Sequence, residues 1–170
     1  MHWFDSGFVF EEVLSRRLTG LHGFALFVTG GRPDRAEALL LDVVERAFER
    51  HLDGEDAAAA LDRSLVTEAV RAPEPVTSSS NYQFRPTPGD LRTIPSIEPA
   101  MLRRATLKIP LPARVAIWLV VVERRTYTEV GDLLGVDRDG LCTLLAWRDA
   151  MVGLALAEAR GHDGHVSTGS

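Results

Sequence analysis

Two arginines, Arg138 and Arg148, are the cations on a stretch spaced like a nucleic-acid reader. Thr126 and Glu129 stand three residues apart, the spacing of a capping box, in which each side chain satisfies the other's orphan N–H at a helix start. Gly135 falls where that helix must stop, since glycine enters the left-handed region without steric cost. Asp137 can cap the helix that follows. A helix of about two turns, a glycine turn and a second helix make the helix-turn-helix layout. The chemistry of such a unit is electrostatic: cations on phosphates give docking, and arginine or amide side chains on base edges give readout. Here Asp137, Asp139 and Asp149 oppose Arg138 and Arg148, so both functions are thinly supplied.

Catalysis has little to work with. His2, His22, His51, His162 and His165 are scattered, and none pairs with carboxylates at a metal-ligand spacing. Cys142 is the lone cysteine, which excludes an internal disulfide and a multi-cysteine metal site. A lone helical cysteine is usually a small hydrophobe. Gly30-Gly31 is a turn between helices and lacks the spacing of a phosphate-binding loop. The chain is read as a non-enzyme without metal or cofactor.

The elements that must hold the helix-turn-helix are helical throughout. Phe8 to Thr19 and Gly20 to Thr29 read as two helices, ended by Gly30-Gly31. Pro33 suits the first turn of a third helix, which runs to about His51 with apolar positions at a period near 3.6. Asp56 to Ala72 is a shorter, alanine-rich helix. Residues 73–99 are rich in proline and serine and read as a linker. Met101 to Leu107 opens a second helical unit, and Ile109 to Leu154 forms three short helices. The fold expected is all-α, with two small helical domains at 1–72 and 100–160, the linker at 73–99 and a flexible tail at 161–170. On the last helix Leu141, Leu145 and Val152 make an inward stripe. Leu144, Trp147, Met151 and Leu154 make a second stripe, which either faces a partner protein or packs within the chain.

Composition fits a cytoplasmic protein. No apolar run approaches the roughly 20 residues of a membrane span, and the N-terminus lacks the order of an export signal. Charge is divided unevenly: residues 1–72 carry 8 Lys and Arg against 13 Asp and Glu, and residues 101–160 carry 9 against 7. The whole chain has a net charge of -5, which forfeits part of the general attraction to duplex phosphates. No basic face is evident from the sequence.

Two segments resemble extracytoplasmic-function (ECF) sigma factors, the promoter-recognising subunits of RNA polymerase. Ile109-Pro110 with Arg114, and Tyr127-Thr128-Glu129-Val130-Gly131-Asp132-Leu133-Leu134-Gly135-Val136, are similar to the family's C-terminal promoter-reading domain, region 4. Ala36-Glu37, Leu39, Asp42, Arg46, Ala47 and Phe48 fit the core helix of its N-terminal domain, region 2. The resemblance implies a transcription regulator that binds polymerase core, through the β′ subunit, by Leu39, Leu40, Asp42, Val43, Arg46 and Phe48. It also implies a DNA- or partner-facing surface at Arg138, Cys142, Thr143, Leu144, Trp147, Arg148 and Met151. Cys142, Leu144, Trp147 and Asp149 stand where the family has lysine and arginines, so promoter DNA is expected to bind weakly. Asp56 to Ala72 carries only Arg63 and Arg71 and no aromatic residue, which leaves little to capture a melted strand. The competing expectations are a sigma mimic that binds an anti-sigma factor or another protein without recognising promoters, and a structural or interaction module that merely retains the scaffold.

Overall fold

The computed structural model describes residues 3–71 and 99–163. The expected linker, apart from Pro99, and the tail beyond Asp163 lie outside the described residues. Within them all regular structure is helical, as the periodicity predicts. In chain order α1 is Trp3–Val28, α2 Pro33–Leu52, α3 Ala57–Arg71, α4 Pro99–Leu107, α5 Leu111–Ile117, α6 Tyr127–Leu134 and α7 Arg138–Asp163. α5 runs on directly into a π-helical segment, Trp118–Val122.

α1 is one helix where the sequence suggested two. Its inward residues Phe10, Leu14, Arg17, Leu21, Phe24 and Val28 alternate steps of four and three, so a single face runs through Gly20 without a break. Glycine inside a helix costs about 1 kcal/mol against alanine, and burial of Leu21 and Phe24 outweighs it. Gly23 has a packing reason to be there. A β-carbon at that position would stand 3.1 Å from the Trp118 ring, which rests on α1 between Phe24 and Phe27.

Gly30 and Gly31 end the helix at φ 68° and 76°, a conformation that only glycine adopts cheaply. The Gly31 N–H donates back to Leu26 O at 2.7 Å, and Thr29 Oγ1 donates to Ala25 O at 2.7 Å, so the freed carbonyls are satisfied. Pro33 then opens α2, as expected. α2 buries Ala36, Leu39, Val43 and Ala47 against α3. The alanines of α3, among them Ala57 and Ala60, let the two backbones approach closely. Asp56 caps α3 by accepting from the N–H groups of Ala58 and Ala59, both at 3.1 Å.

The larger core gathers Phe24, Val43, Leu61 and Leu65 from the first three helices with Leu111, Val115 and Leu119 from α5, Val130 from α6 and Leu141 from α7. The N-terminal and C-terminal halves therefore bury their apolar faces against each other. A second cluster joins Ala105 and Ile109 to Ile117, Met151 and Ala155, with Phe27 from α1 packed on it.

α7 departs from expectation in two ways. It is a 26-residue helix, longer than the short element anticipated, and its last residues continue into the stretch read as tail. Its segment Arg138–Ala159 is also long and apolar enough to cross a membrane by length and composition. Arg148 and Asp149 interrupt it, which is why no apolar run of that length stood out in the sequence. In the fold the apolar positions of α7 are used for packing on α4, α5 and α6.

Candidate nucleic-acid and partner interface

The helix-turn-helix is assembled by local hydrogen bonds that the sequence foretells. Thr126 Oγ1 accepts from the Glu129 N–H at 3.3 Å, and Glu129 Oε2 accepts from the Thr126 N–H at 2.8 Å and from its hydroxyl at 2.7 Å. These bonds, the hydroxyl first, hold the exposed Glu129 carboxyl below its ordinary range. Gly135 turns the chain at φ 66°, ψ 32°. Asp137 Oδ1 then accepts from the Gly140 N–H at 2.7 Å and starts α7. Val130 and Leu141, both fully buried, fix α6 against α7.

The candidate face on α7 divides when built. Arg138, Cys142, Thr143 and Arg148 are exposed, Leu144 and Trp147 are half-buried, and Met151 is buried. The second apolar stripe is covered by the chain itself. Trp147 and Leu154 pack on the Ala105–Ile109–Ile117 cluster, Leu144 packs on the larger core, and Thr106 Oγ1 lies 3.5 Å from Met151 Sδ. Of the two readings left open, the intrachain one describes this stripe. Between Arg138 and Asp149 solvent sees Arg138, Cys142, Thr143, Ala146 and an Arg148–Asp149 pair at 3.3 Å, with Asp139 alongside. A shallow hollow of about 520 Å³ lies in the elbow, lined by Tyr127, Asp132, Asp137 and Arg138 among others.

The six positions on α2 divide in the same way. Leu39 and Val43 are core residues, 5% and 0% exposed, so they support the helix and cannot touch a partner. Leu40 is half-buried, and Asp42, Arg46 and Phe48 are exposed. Phe48 sets its ring edge-on to Phe10 at 5.3 Å, and Arg46 reaches Glu49 at 3.1 Å and Glu68 at 3.6 Å. Leu41, which stands where the resemblance expects glutamine and so counted against the contact, is 72% exposed, and Leu52, outside the six positions, is exposed too. Their signal was present: positions 41, 48 and 52 recur at seven and four residues, which puts them on one outward line of the helix. Asp42, Glu45 and Glu49 border that line, beside an acidic hollow of about 300 Å³ that Arg46 and Glu68 complete.

Two polar assemblies set the helix-turn-helix on the N-terminal half. Arg114 is 3% exposed. Its Nε donates to the carbonyls of Thr106 and Ile109 at 2.8 and 3.1 Å, Nη2 to Leu107 at 3.0 Å, and Nη1 to Val28, the end of α1, at 2.7 Å. One cation thus serves the C-terminal carbonyls of two helices, where partial negative charge collects. The second assembly was not foreseen. Arg125 binds Asp62 of α3 through both arms of its guanidinium, at 2.7 and 2.8 Å, and Arg17 of α1 donates to the same carboxylate at 2.5 Å. The bonds to Asp62 raise the Arg125 guanidinium further above its usual range. Arg124, at φ 60°, bears a left-handed backbone without being glycine, and that sharp turn delivers Arg125 to α3.

No family model, no curated protein and no solved structure matches this chain.

Proposed function

We propose that the chain is a transcription regulator built on the plan of an ECF sigma factor. It binds RNA polymerase core through the outer face of α2 and directs or modulates initiation with weakened DNA-reading surfaces. The observation that carries this reading is the capped helix, left-handed glycine turn and long helix of α6–α7, standing behind a three-helix N-terminal half in the chain order of the resemblance. α2 supports it with an apolar line of Leu41, Phe48 and Leu52 edged by carboxylates. Such a surface suits an amphipathic helix with basic flanks, and the β′ coiled coil is the partner this reading names.

A second reading, a sigma mimic that binds an anti-sigma factor, is favoured by one feature. Arg148 is engaged by Asp149, and Asp137 and Asp139 flank Arg138, so the recognition helix meets phosphates with almost no net charge. Purified core polymerase and, separately, a cell extract passed over the immobilised chain separate the two. The first reading expects capture, weakened about tenfold or more by Asp42→Arg with Phe48→Glu, both exposed positions. Capture of an anti-sigma protein without polymerase transfers the proposal to the mimic, and capture of neither defeats both.

A further inference from the structure

The α1–α2 turn meets α4 at one corner of the molecule, and the meeting gathers cations from two distant segments. Gly30 and Gly31 leave room there for α4. A β-carbon on Gly30 would overlap the Leu107 side chain, and one on Gly31 would overlap Cδ of Arg103. Arg103 therefore lies across the turn, next to Arg32, which follows Gly31 in the chain. Arg35 stands three residues beyond Arg32, a helix neighbour on the first turn of α2. Lys108 follows Leu107. All four are exposed, and among the described residues no carboxylate or hydrogen-bond acceptor engages their side chains. Asp34 and Glu37 are the nearby carboxylates on α2, and Arg104, the next cation along α4, is held by Glu158. The corner is positive on a chain whose net charge is -5.

We infer that this corner, rather than the exposed face of α7, is where the chain meets the phosphate backbone of duplex DNA. Three of the four cations are arginines, whose planar forks match phosphate oxygens. A modest positive field on an acidic protein favours the ligand of highest charge density. A duplex presents one negative charge per about 1.7 Å of axis, roughly twice what a fully acidic extended peptide can offer at about 3.3 Å per residue. The contact is sequence-independent, since nothing at the corner is placed to read base edges. It does not depend on polymerase binding, which the preceding proposal assigns to a different face.

The test uses the full chain and a short fluorescent duplex of arbitrary sequence at low salt, read by anisotropy. Arg32→Glu with Arg103→Glu should weaken binding by about tenfold or more and flatten the salt slope by about two. Arg138→Glu with Arg148→Glu should change affinity by less than about twofold. Arg32→Gln with Arg35→Gln, at exposed side chains that no hydrogen bond or ion pair engages among the described residues, decides the matter if Arg103→Glu disturbs the fold. The inference is overturned if the wild-type chain does not bind duplex, or if the α7 variant loses as much as the corner variant. It also fails if polyglutamate competes as strongly as unlabelled duplex. Core polymerase capture by the corner variants should be unchanged, so the two proposals fail separately.

Discussion

Arg114 ties the two halves of this fold together through backbone carbonyls of both. Four hydrogen bonds from it end on backbone carbonyls that would otherwise be buried near helix ends with too few donors. Arg114→Met keeps the length of the side chain and removes the donors. It should cost about 3–5 kcal/mol in urea unfolding, because several buried acceptors lose their partner together. A loss below about 1 kcal/mol would mean that water or a backbone shift replaces the guanidinium. The position of Arg114 was legible in the sequence as part of a motif, but its function was not, since the Val28 carbonyl lies 86 residues away. Asp62 was invisible for the same reason. A lone aspartate on an alanine-rich helix gives no hint that Arg17 and Arg125 will converge on it. The candidate site was half legible. Exposed Asp42, Arg46 and Phe48 are available on α2, whereas Leu39 and Val43 were chosen from a pattern that marks the core face as strongly as any contact face.

Among the elements, those defined by local chemistry were read well and those defined by packing were not. The capping box, the left-handed Gly135 and the Asp137 cap lie within a few residues of the bonds they make, so sequence contains the whole argument. The apparent break at Gly20 misled because the helix is held by burial of Leu21 and Phe24 against segments that only the fold brings to them, while Gly20 itself faces open space. The capping box also has a pH signature. Glu129 titrates below its ordinary value of 4.5 in the folded chain. Its contribution is therefore complete above that value and is lost as pH falls through the folded one. Thr126→Ala should destabilise the chain by about 1 kcal/mol near neutral pH, the usual worth of an N-cap hydroxyl. The gap between wild type and variant should then narrow as acid protonates Glu129. Unfolding curves collected at a series of pH values check both parts, and a gap that stays constant into acid would remove Glu129 from the account.

At the scale of the whole molecule the decisive fact is that the halves share one core. Leu111, Val115, Leu119, Val130 and Leu141 complete a cluster begun by α1, α2 and α3, and the Asp62 and Arg114 assemblies span the same boundary. Sequence could place the two helical units but could not show that their apolar faces fit each other, because that depends on shapes formed by distant segments. A shared core has a thermodynamic consequence: the halves should unfold together. Far-UV ellipticity reports helices throughout, while fluorescence reports the three tryptophans, among them Trp118, packed on α1, and Trp147, packed on the smaller cluster. The two signals should trace one coincident urea transition. Asp62→Ala, which leaves Arg125 and Arg17 without their common acceptor, should shift that transition as a unit. The expected cost is about 1–2 kcal/mol, reduced from that of a fully buried pair because all three groups keep some contact with water. Two separated transitions, with the variant moving only one of them, would show that the interface between the halves contributes little. The basic corner, built from the α1–α2 turn and α4, would then lose its fixed geometry as well, since its arginines are brought together by the same contact.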